Sequence, residues 1–343
     1  MTNNVLVSII IVSLNRKKEL LKCIKSISEQ SYKDFEILLI DNNSNDGSCE
    51  IIKSTFPDTK IYKTKKNLGT SYTRNAAINF SSGNLIWFLD SDVYLLNKNV
   101  LKNLVKKFNS DPKIDAMGGE AMLDDKYNIV GTKKLELYAN GMIKGFMVNN
   151  IKNTNVKVLA TCNLIVKSSI IKEIGGFDHF YFFYLEDLDL TYRIFKKGYK
   201  LHLINECPVI HYFSNTTRFK NYFLANRNRI YFLVKNFSLL NVIFLPILDL
   251  IYIFNLETLK RILNKTNNNS NIKYQISSSN KKFSLINFLL ISKNAFLIFV
   301  SMLFSYIYIP YYLAIIFLKM HKKNFLEMIN NEDFILISSN KDS

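Results

Sequence analysis

Leu85-Ile86-Trp87-Phe88-Leu89-Asp90-Ser91-Asp92 is an apolar run of about strand length that ends in two carboxylates with one residue between them. In an open α/β sheet, residues at the carboxyl ends of the strands line the crevice that binds ligands. Two carboxylates there would suit a hard divalent cation bound together with the phosphates of a substrate. The stretch also fits an ordinary strand followed by a turn whose aspartates bond only local backbone. Both interpretations stay open on this stretch alone.

The residues before this stretch repeat the pattern of an apolar run followed by polar residues. Residues 5–12, 35–40 and 60–63 predict strands, and helical patterns separate them. Alternating strands and helices with short connections predict a mostly parallel, doubly wound sheet. Because the strands end at the same edge, we expect Asp41 and Asp90 to share one crevice. The first strand is not followed by G-x-G-x-x-G, and no Walker lysine motif is present.

Composition limits the classes of partner. The 343 residues are 48% hydrophobic, which is typical of a globular chain, and carry a formal net charge of +17. Such a charge is compatible with nucleic acid, an anionic membrane surface or a phosphorylated substrate. No basic run resembles a nucleic-acid-binding arm, so we do not expect nucleic acid as a partner. The cysteines are scattered without metal-ligand spacing, which predicts reduced thiols: Cys23, Cys49, Cys162 and Cys207.

A second group of acids follows in the region after residue 168. Gly175-Gly176 ends a short predicted helix, and an aromatic stretch then leads into Glu186-Asp187 at the start of another helix. Asp189 and Arg193 are four residues apart and are expected to pair on that helix. A short strand over residues 209–211 ends in His211. Residues 114–160 predict only irregular strands and a loop.

In order and spacing, these motifs resemble the inverting family 2 glycosyltransferases, and the segment Asn226-Arg227-Asn228-Arg229 resembles that of rhamnosyltransferase-like members. The resemblance runs from about residue 5 to about residue 228. It implies the GT-A fold, a mixed α/β sheet flanked by helices that binds a nucleotide sugar. The matching motifs are Ser13-Leu14-Asn15-Arg16, the loop 41–48, Asn67-Leu68-Gly69, Arg74-Asn75, Asp90-Ser91-Asp92, Gly175-Gly176-Phe177-Asp178, Glu186-Asp187-Leu188-Asp189-Leu190 with Arg193, and His211.

The resemblance also implies roles for individual residues. Asp187 would be the general base, and Asp92 and His211 would bind Mg²⁺ or Mn²⁺. The nucleotide sugar would be bound by Leu14, Asn15, Asp41, Arg74, Asp90, Ser91 and Glu186. These roles make chemical sense, because a divalent cation stabilises the charge on a departing diphosphate. A positioned carboxylate can likewise deprotonate the attacking hydroxyl in a displacement that inverts the sugar carbon.

Five of these residues also have a purely structural interpretation. Asp41 could be a turn residue, and Glu186 and Asp187 could be acids that favour a helix N-terminus. His211 could be a packed side chain, and Arg74 a solvated charge on a helix.

Three other functions stay open. Transfer to a polyprenyl phosphate would differ only in the acceptor. A nucleotidyltransferase would need an early Gly-rich phosphate loop, which is missing, and an inactive membrane scaffold would not need Asp92, Asp187 and His211 together. Processive synthases of this family carry Gln-x-x-Arg-Trp after the base, whereas this chain has Asn226-Arg227-Asn228-Arg229-Ile230. This difference favours addition of a single sugar over polymerisation. From the resemblance we expect a role in the biosynthesis of a cell-surface polysaccharide or glycolipid.

Beyond the catalytic region, predicted over residues 1–230, residues 231–343 predict a helical, membrane-associated region with a basic linker. Residues 239–254 are apolar but include Pro246 and Asp249, which favours an interfacial or packed helix. Residues 294–318 lack charge and would reach about 37 Å as a helix, enough to cross a bilayer. Pro310 also allows a re-entrant or in-plane hairpin, and a buried helical hairpin in a soluble protein is a further alternative. We therefore expect a catalytic domain on the cytoplasmic side of a membrane, acting on a glycan or lipid-linked acceptor.

Overall fold

A computed structural model describes residues 5–123, 129–148, 154–204, 209–211, 222–254, 306–307, 309–313 and 325–337. Within these ranges the chain forms a nine-stranded and a five-stranded sheet, flanked by helices. The larger sheet has the strand order β10 (Thr154–Val156), β12 (Leu201–Leu203), β6 (Ala116–Gly118), β11 (Asn163–Lys167), β4 (Leu85–Asp90), β1 (Val7–Ser13), β2 (Phe35–Asp41), β3 (Lys60–Thr64) and β14 (Phe334–Ile337). The smaller sheet has the order β5 (Val93–Leu95), β13 (Val209–His211), β7 (Glu120–Leu123), β8 (Ile129–Leu137) and β9 (Ile143–Val148). The helices are α1 (Lys17–Ser28), α2 (Ser48–Thr55), α3 (Thr70–Phe80), α4 (Val100–Ser110), α5 (Ser168–Ile174), α6 (Glu186–Lys196), α7 (Tyr222–Asn236), α8 (Leu239–Ile243) and α9 (Leu245–Phe254).

The mixed sheet flanked by helices that the resemblance implied is confirmed, whereas the prediction of a mostly parallel sheet holds only for its centre, because both sides of the sheet carry antiparallel pairings. Strands β4, β1, β2 and β3 run parallel, while β11 and β14 pair antiparallel with β4 and β3. The central strands are apolar along their length because both of their faces are covered. Ile9 and Trp87 belong to one core cluster, whereas Ile10 and Phe88 belong to the cluster on the opposite face.

Strand register places the acidic residues at one edge of the sheet. Ser13, at the end of β1, lies opposite Asp41 of β2, and Val12 lies opposite Asp90 of β4. Asp41 and Asp90 therefore lie at the same edge of the sheet, as the expectation of a shared crevice requires. Strand β13 pairs antiparallel with β5 so that His211 lies opposite Val93, the residue after Asp92. The smaller sheet thus brings His211, which is 119 positions from Asp92 in the sequence, to the acidic edge.

The helices that follow the catalytic region pack against it through a buried ion pair. Arg229 of α7 donates hydrogen bonds from Nη1 (2.8 Å) and Nη2 (3.0 Å) to the two carboxylate oxygens of Asp249 on α9. The side chain of Asn140 also donates to Asp249. The opposite faces of α8 and α9 are apolar and exposed, at Leu240, Ile243, Phe244, Ile247 and Ile251. The prediction of an interfacial or packed helix over 239–254 thus corresponds to two short helices with one packed and one exposed face.

Within the described ranges, no helix is both long enough and apolar enough to cross a bilayer. Most of the predicted apolar segment 294–318, and all of the predicted basic linker at 260–282, lie outside the described residues. The division of the chain at residue 230 stays a prediction. Helix α7 runs through that position, and residues 325–337 contact the sheet of the first region.

The sequence pattern did not predict β14, which extends the larger sheet beyond β3. Its residues Phe334 to Ile337 pair antiparallel with Thr64 to Ile61. The segment is also tied to α3, because the Tyr72 hydroxyl donates to Asp333 (2.7 Å) and accepts from the backbone N–H of Asn330 (2.8 Å). Leu326 is buried in the same core cluster as Ile10 and Phe88. Residues 325–337 thus form an integral part of the catalytic fold.

We expect Leu326→Ala to lower the free energy of unfolding by about 2–3 kcal/mol, because it removes a buried side chain and leaves a cavity. Met328→Ala is the matched control: Met328 is 46% exposed whereas Leu326 is 8% exposed. Its effect should stay within about 0.5 kcal/mol. Urea unfolding of both variants measures the difference. Equal effects would mean that this segment does not pack on the catalytic core.

Candidate active site

Two carboxylates and one imidazole form a compact cluster at the carboxyl edge of the sheet. Potential ligand atoms of Asp90, Asp92 and His211 lie within 4.8 Å of one another. His211 Nε2 is 3.1 Å from Asp92 Oδ1 and 3.7 Å from Asp90 Oδ2. The structure thus brings together the two predicted metal ligands and adds Asp90, which was predicted to bind the nucleotide sugar. Carboxylate oxygens and an imidazole suit Mn²⁺, and the oxygens also suit Mg²⁺, so the donor set fits the predicted cation.

Arg74 connects this cluster to the start of α6. The side chain projects from α3 and is buried, so it is not a solvated helix charge. Its Nη2 donates to Asp90 Oδ1 at 3.0 Å, and its Nη1 donates to Glu186 Oε1 at 2.9 Å. The guanidinium also lies over the ring of Phe177. A buried arginine shared between two carboxylates fixes both of them relative to α3.

Glu186 and Asp187, the first residues of α6, have different environments. Glu186 is buried, and its Oε1 also accepts a hydrogen bond from the Thr70 hydroxyl at 3.1 Å. Asp187 is partly exposed to solvent, and its Oδ1 accepts from the backbone N–H of Leu188. Burial and then the neighbouring charge of Glu186 raise the pKa of Asp187 to about 7, against the opposing effect of Arg74. A carboxylate with a pKa near neutral can accept a proton from a hydroxyl at physiological pH.

The loop that leads into α6 has a strained backbone, and a side chain of α7 forms hydrogen bonds with it. Tyr184 and Leu185 both have positive φ angles, 71° and 69°, although neither is glycine. Such residues cost about 1–3 kcal/mol each and persist only where the surroundings impose them. The buried amide of Asn228 donates to the carbonyl oxygens of Phe183 and Tyr184, both at 2.8 Å. Asn228, the third residue of the Asn-Arg-Asn-Arg segment, therefore holds the backbone that orients Asp187.

The loops after β1 and β2 form an adjoining polar network. Asp41 is fully buried, and its Oδ1 accepts from the backbone N–H of Ser44. Asp41 Oδ2 has no hydrogen-bond partner in the part of the chain that the structure describes. The nearby Cys49 thiol has its pKa raised to about 12, by burial first and then by the charge of Asp41. Asp41 is thus partly a turn residue, and its second carboxylate oxygen is buried on the side of Cys49.

The other residues predicted to bind the nucleotide sugar lie close to this network. Asn15 has φ of 51° and accepts from the backbone N–H of Asn45 through its side chain. Leu14 is exposed, and Ser91 is buried between Asp90 and Asp92. Asn42 joins the β2 loop to the segment before α3, because its side chain donates to Asn67. The contacts describe where these residues lie, and their roles toward a nucleotide stay predictions.

Three residues of the site were given no role from sequence. Arg16 belongs to the quoted loop motif, but the pattern did not show that its side chain forms an ion pair with Asp92. Thr70 precedes Arg74 by four residues on α3, and this helical spacing is a signal that could have grouped the two. Asn228 was visible only as part of a motif. His179 and His202 lie outside this cluster, with His179 beside Asn75 and His202 in β12.

Comparison with known proteins identifies the family. The model of "Glycosyl transferase family 2" matches residues 8–175. An uncharacterized glycosyltransferase of Methanocaldococcus jannaschii is 30% identical over 207 residues, which are 59% of this chain and 68% of that protein. The chain belongs to glycosyltransferase family 2, and it is a glycosyltransferase.

Two further relatives have more specific names. Glycosyltransferase AglE of Haloferax volcanii is 26% identical over 200 residues, which are 57% of this chain and 63% of that protein. The UDP-Glc:alpha-D-GlcNAc-diphosphoundecaprenol beta-1,3-glucosyltransferase WfaP of Escherichia coli is 28% identical over 211 residues, 58% of this chain and 74% of that protein. The regions of similarity therefore leave a quarter or more of each relative unmatched.

Solved structures share the fold. The mannosyltransferase PcManGT of Pyrobaculum calidifontis, in complex with GDP-Man and Mn²⁺, has a TM-score of 0.53 at 16% identity and covers 94% of this chain and 88% of its own. GalNAc-T7 with UDP, GalNAc and Mn²⁺ has a TM-score of 0.56 at 17% identity, over 68% of this chain and 48% of its own. At these identities the likeness establishes the fold alone.

Proposed function

We propose that this protein is a metal-dependent, inverting glycosyltransferase that moves a sugar from a nucleotide-diphosphate donor to a hydroxyl of a glycan or lipid-linked saccharide. One observation carries the proposal: Arg74 joins the Asp90–Asp92–His211 cluster to the helix start that bears Asp187. A cation site and a carboxylate with a pKa near neutral, held by one buried arginine, are the two groups that such a transfer needs. Solved structures of the same fold hold a nucleotide or nucleotide sugar together with Mn²⁺.

The donor would be held at the edge formed by β1, β2 and β4. Asp41 has an acceptor oxygen without a partner in the described ranges, which suits an N–H or hydroxyl of the nucleoside. Leu14, Asn15 and Ser91 would also contact the donor, and Glu186 keeps Arg74 in place through their ion pair. Asp92 and His211, with Asp90, would hold Mn²⁺ or Mg²⁺, which when bound supplies positive charge for the leaving diphosphate.

Asp187 would act on the acceptor. It is partly exposed, whereas Glu186 beside it is buried and shared by Arg74 and Thr70. Of the two acids, Asp187 is thus the one that an acceptor hydroxyl can reach. The hydroxyl oxygen forms the new bond to the sugar carbon, its proton passes to Asp187, and the bond to the donor phosphate breaks with its electrons on the diphosphate. This sequence inverts the configuration of the sugar carbon.

We expect kcat/KM to rise with pH through about 7, because Asp187 must be deprotonated to act as base and its pKa is raised to about 7. Below that value the rate should fall about tenfold per pH unit. Glu186→Gln removes a charge that contributes to the raised pKa and should move the acid limb to lower pH. Rates at saturating cation between pH 5 and 9 measure both effects. A rate independent of pH below 7 would exclude Asp187 as the titrating base.

We further propose that the protein acts at a membrane surface, with its catalytic domain on the cytoplasmic side. The support is the apolar exposed face of α8 and α9, together with a relative whose name specifies a diphosphoundecaprenol-linked substrate. An amphipathic face of this kind can lie in the interface of a bilayer. Recovery of the full chain in the soluble fraction without detergent would contradict this part of the proposal.

A donor screen tests the central proposal. Purified protein is incubated with UDP-, dTDP- and GDP-sugars in the presence of Mn²⁺ or Mg²⁺, and donor hydrolysis and thermal stabilisation are measured. We expect one nucleotide class to raise the melting temperature in a cation-dependent manner, since a ligand that binds only the folded state stabilises it. A dTDP-sugar among the active donors would support the rhamnosyltransferase-like resemblance. Failure of every donor to bind with either cation would refute the proposed function.

A further inference from the structure

Arg16 forms an ion pair with the proposed cation ligand Asp92. Its Nη1 donates to Asp92 Oδ2 at 2.9 Å, while Asp92 Oδ1 lies 3.1 Å from His211 Nε2. Both carboxylate oxygens of Asp92 are thus in contact with a nitrogen of the protein. The Arg16 side chain is 28% exposed and that of Asp92 is 7% exposed, so the arginine is the partner that has room to move.

The backbone beneath Arg16 is held on both sides. The N–H of Asn15 donates to the Ser44 hydroxyl at 2.9 Å, and the N–H of Lys17 donates to Asp46 at 2.8 Å. The carbonyl oxygen of Arg16 accepts the first hydrogen bond of α1, from the N–H of Leu20. The guanidinium is therefore delivered to the cluster from a fixed base, and only its side-chain torsions are free to change.

The positive charge of Arg16 has opposite effects on the affinity of the site for a divalent cation and for a nucleotide diphosphate. A divalent cation that binds Asp92 must share its carboxylate with the guanidinium, and the two positive charges repel each other. A nucleotide diphosphate that arrives with the cation adds negative charge, which both positive groups attract. The same arginine therefore opposes the cation alone and favours the cation together with the diphosphate.

We propose that Arg16 is a positioning residue that couples binding of the divalent cation to binding of the donor diphosphate. It competes with the free cation for Asp92 and stabilises the site once cation and diphosphate are both bound. The inference rests on the proposed function and adds a mechanism by which the site favours the cation–nucleotide complex over the cation alone. By thermodynamic linkage, the same coupling must appear in the affinity for the nucleotide.

The test compares binding by the full chain and by Arg16→Gln, which keeps most of the side-chain length and removes the charge. Free Mn²⁺ is measured by electron paramagnetic resonance, first without nucleotide and then with the nucleoside diphosphate, UDP, dTDP or GDP, that stabilises the wild-type protein. We expect Arg16→Gln to bind Mn²⁺ alone about fivefold more tightly, and Mn²⁺ to enhance nucleotide affinity about fivefold less than in the wild type. Loosening of a structural contact would weaken Mn²⁺ binding, which is the opposite direction.

Two controls separate the possible failures. Lys18→Gln removes an equal charge from the exposed first turn of α1, and it should leave Mn²⁺ affinity unchanged. If it tightens binding as much as Arg16→Gln does, the effect is one of net charge and the inference is wrong. If Asp92→Asn abolishes Mn²⁺ binding but Arg16→Gln binds as the wild type does, the metal site stands and the role of Arg16 is refuted. If the wild type binds no Mn²⁺ with any of the nucleotides, the proposed function itself fails.

Discussion

Replacement of Asp187 by Asn is expected to lower kcat by about a thousandfold while leaving the affinity for donor and cation within about threefold of the wild type. The amide oxygen of Asn can still accept the hydrogen bond from the N–H of Leu188, so the start of α6 should keep its geometry. The amide cannot take a proton from the acceptor hydroxyl. Single-turnover transfer measures the chemical step, and thermal stabilisation by Mn²⁺ with nucleotide measures binding.

Asp111→Asn is a matched control for this variant. Like Asp187, Asp111 accepts a hydrogen bond through Oδ1 from a nearby backbone N–H, here that of Lys113. It lies at the end of α4 and is not part of the Asp90–Asp92–His211 cluster. We expect wild-type activity from it. Full activity in Asp187→Asn would remove Asp187 as the base, whereas parallel losses of activity and of donor binding would indicate a role in positioning the donor.

Replacement of Asp92 by Asn is expected to weaken Mn²⁺ binding by at least about tenfold, and with it the cation-dependent part of nucleotide binding. The substitution removes one of the two carboxylates of the cluster and also the charge that pairs with Arg16. The thermal shift produced by Mn²⁺ and nucleotide together should therefore shrink toward that of nucleotide alone. The melting temperature without ligands shows whether the fold tolerates the change. An unaltered dependence on Mn²⁺ would mean that Asp92 does not bind the cation.

The sequence predicted the acidic edge of the sheet well, because an apolar run and the polar residue that ends it are neighbours in the sequence. Continuous apolar runs that end in Asp41 and Asp90 sufficed to place both carboxylates at the same edge of the sheet, and the register shows them at the ends of the two strands that flank β1. Single side chains that meet across the fold carry no such signal. The pair between Arg74 and Glu186 joins residues 112 positions apart, and only the finished fold shows which acid each arginine meets.

Strand β14 was missed for a related physical reason. Phe334 to Ile337 are four apolar residues without alternation, a pattern that fits a strand or a buried turn of helix equally well. What makes them a strand is the free edge of β3, which no local pattern reveals. For the segment 226–229, by contrast, the motif was visible in the sequence but its structural role was not. The fold shows this role, because the Asn228 side chain holds the strained backbone before Asp187.

The pairing of β14 with β3 has a consequence for the order in which the protein becomes functional. Tyr72 of α3 and its partner Asp333 are 261 residues apart, so a ribosome adding about 5–20 residues per second makes them about 13–50 seconds apart. During that interval the edge of β3 has no partner strand, and the helix that carries Arg74 lacks one of its anchors. Unpaired edges of this kind can pair with other chains. Newly made molecules should therefore stay prone to aggregation until residues 334–337 have emerged, and the catalytic site should be among the last parts of the chain to reach its final form.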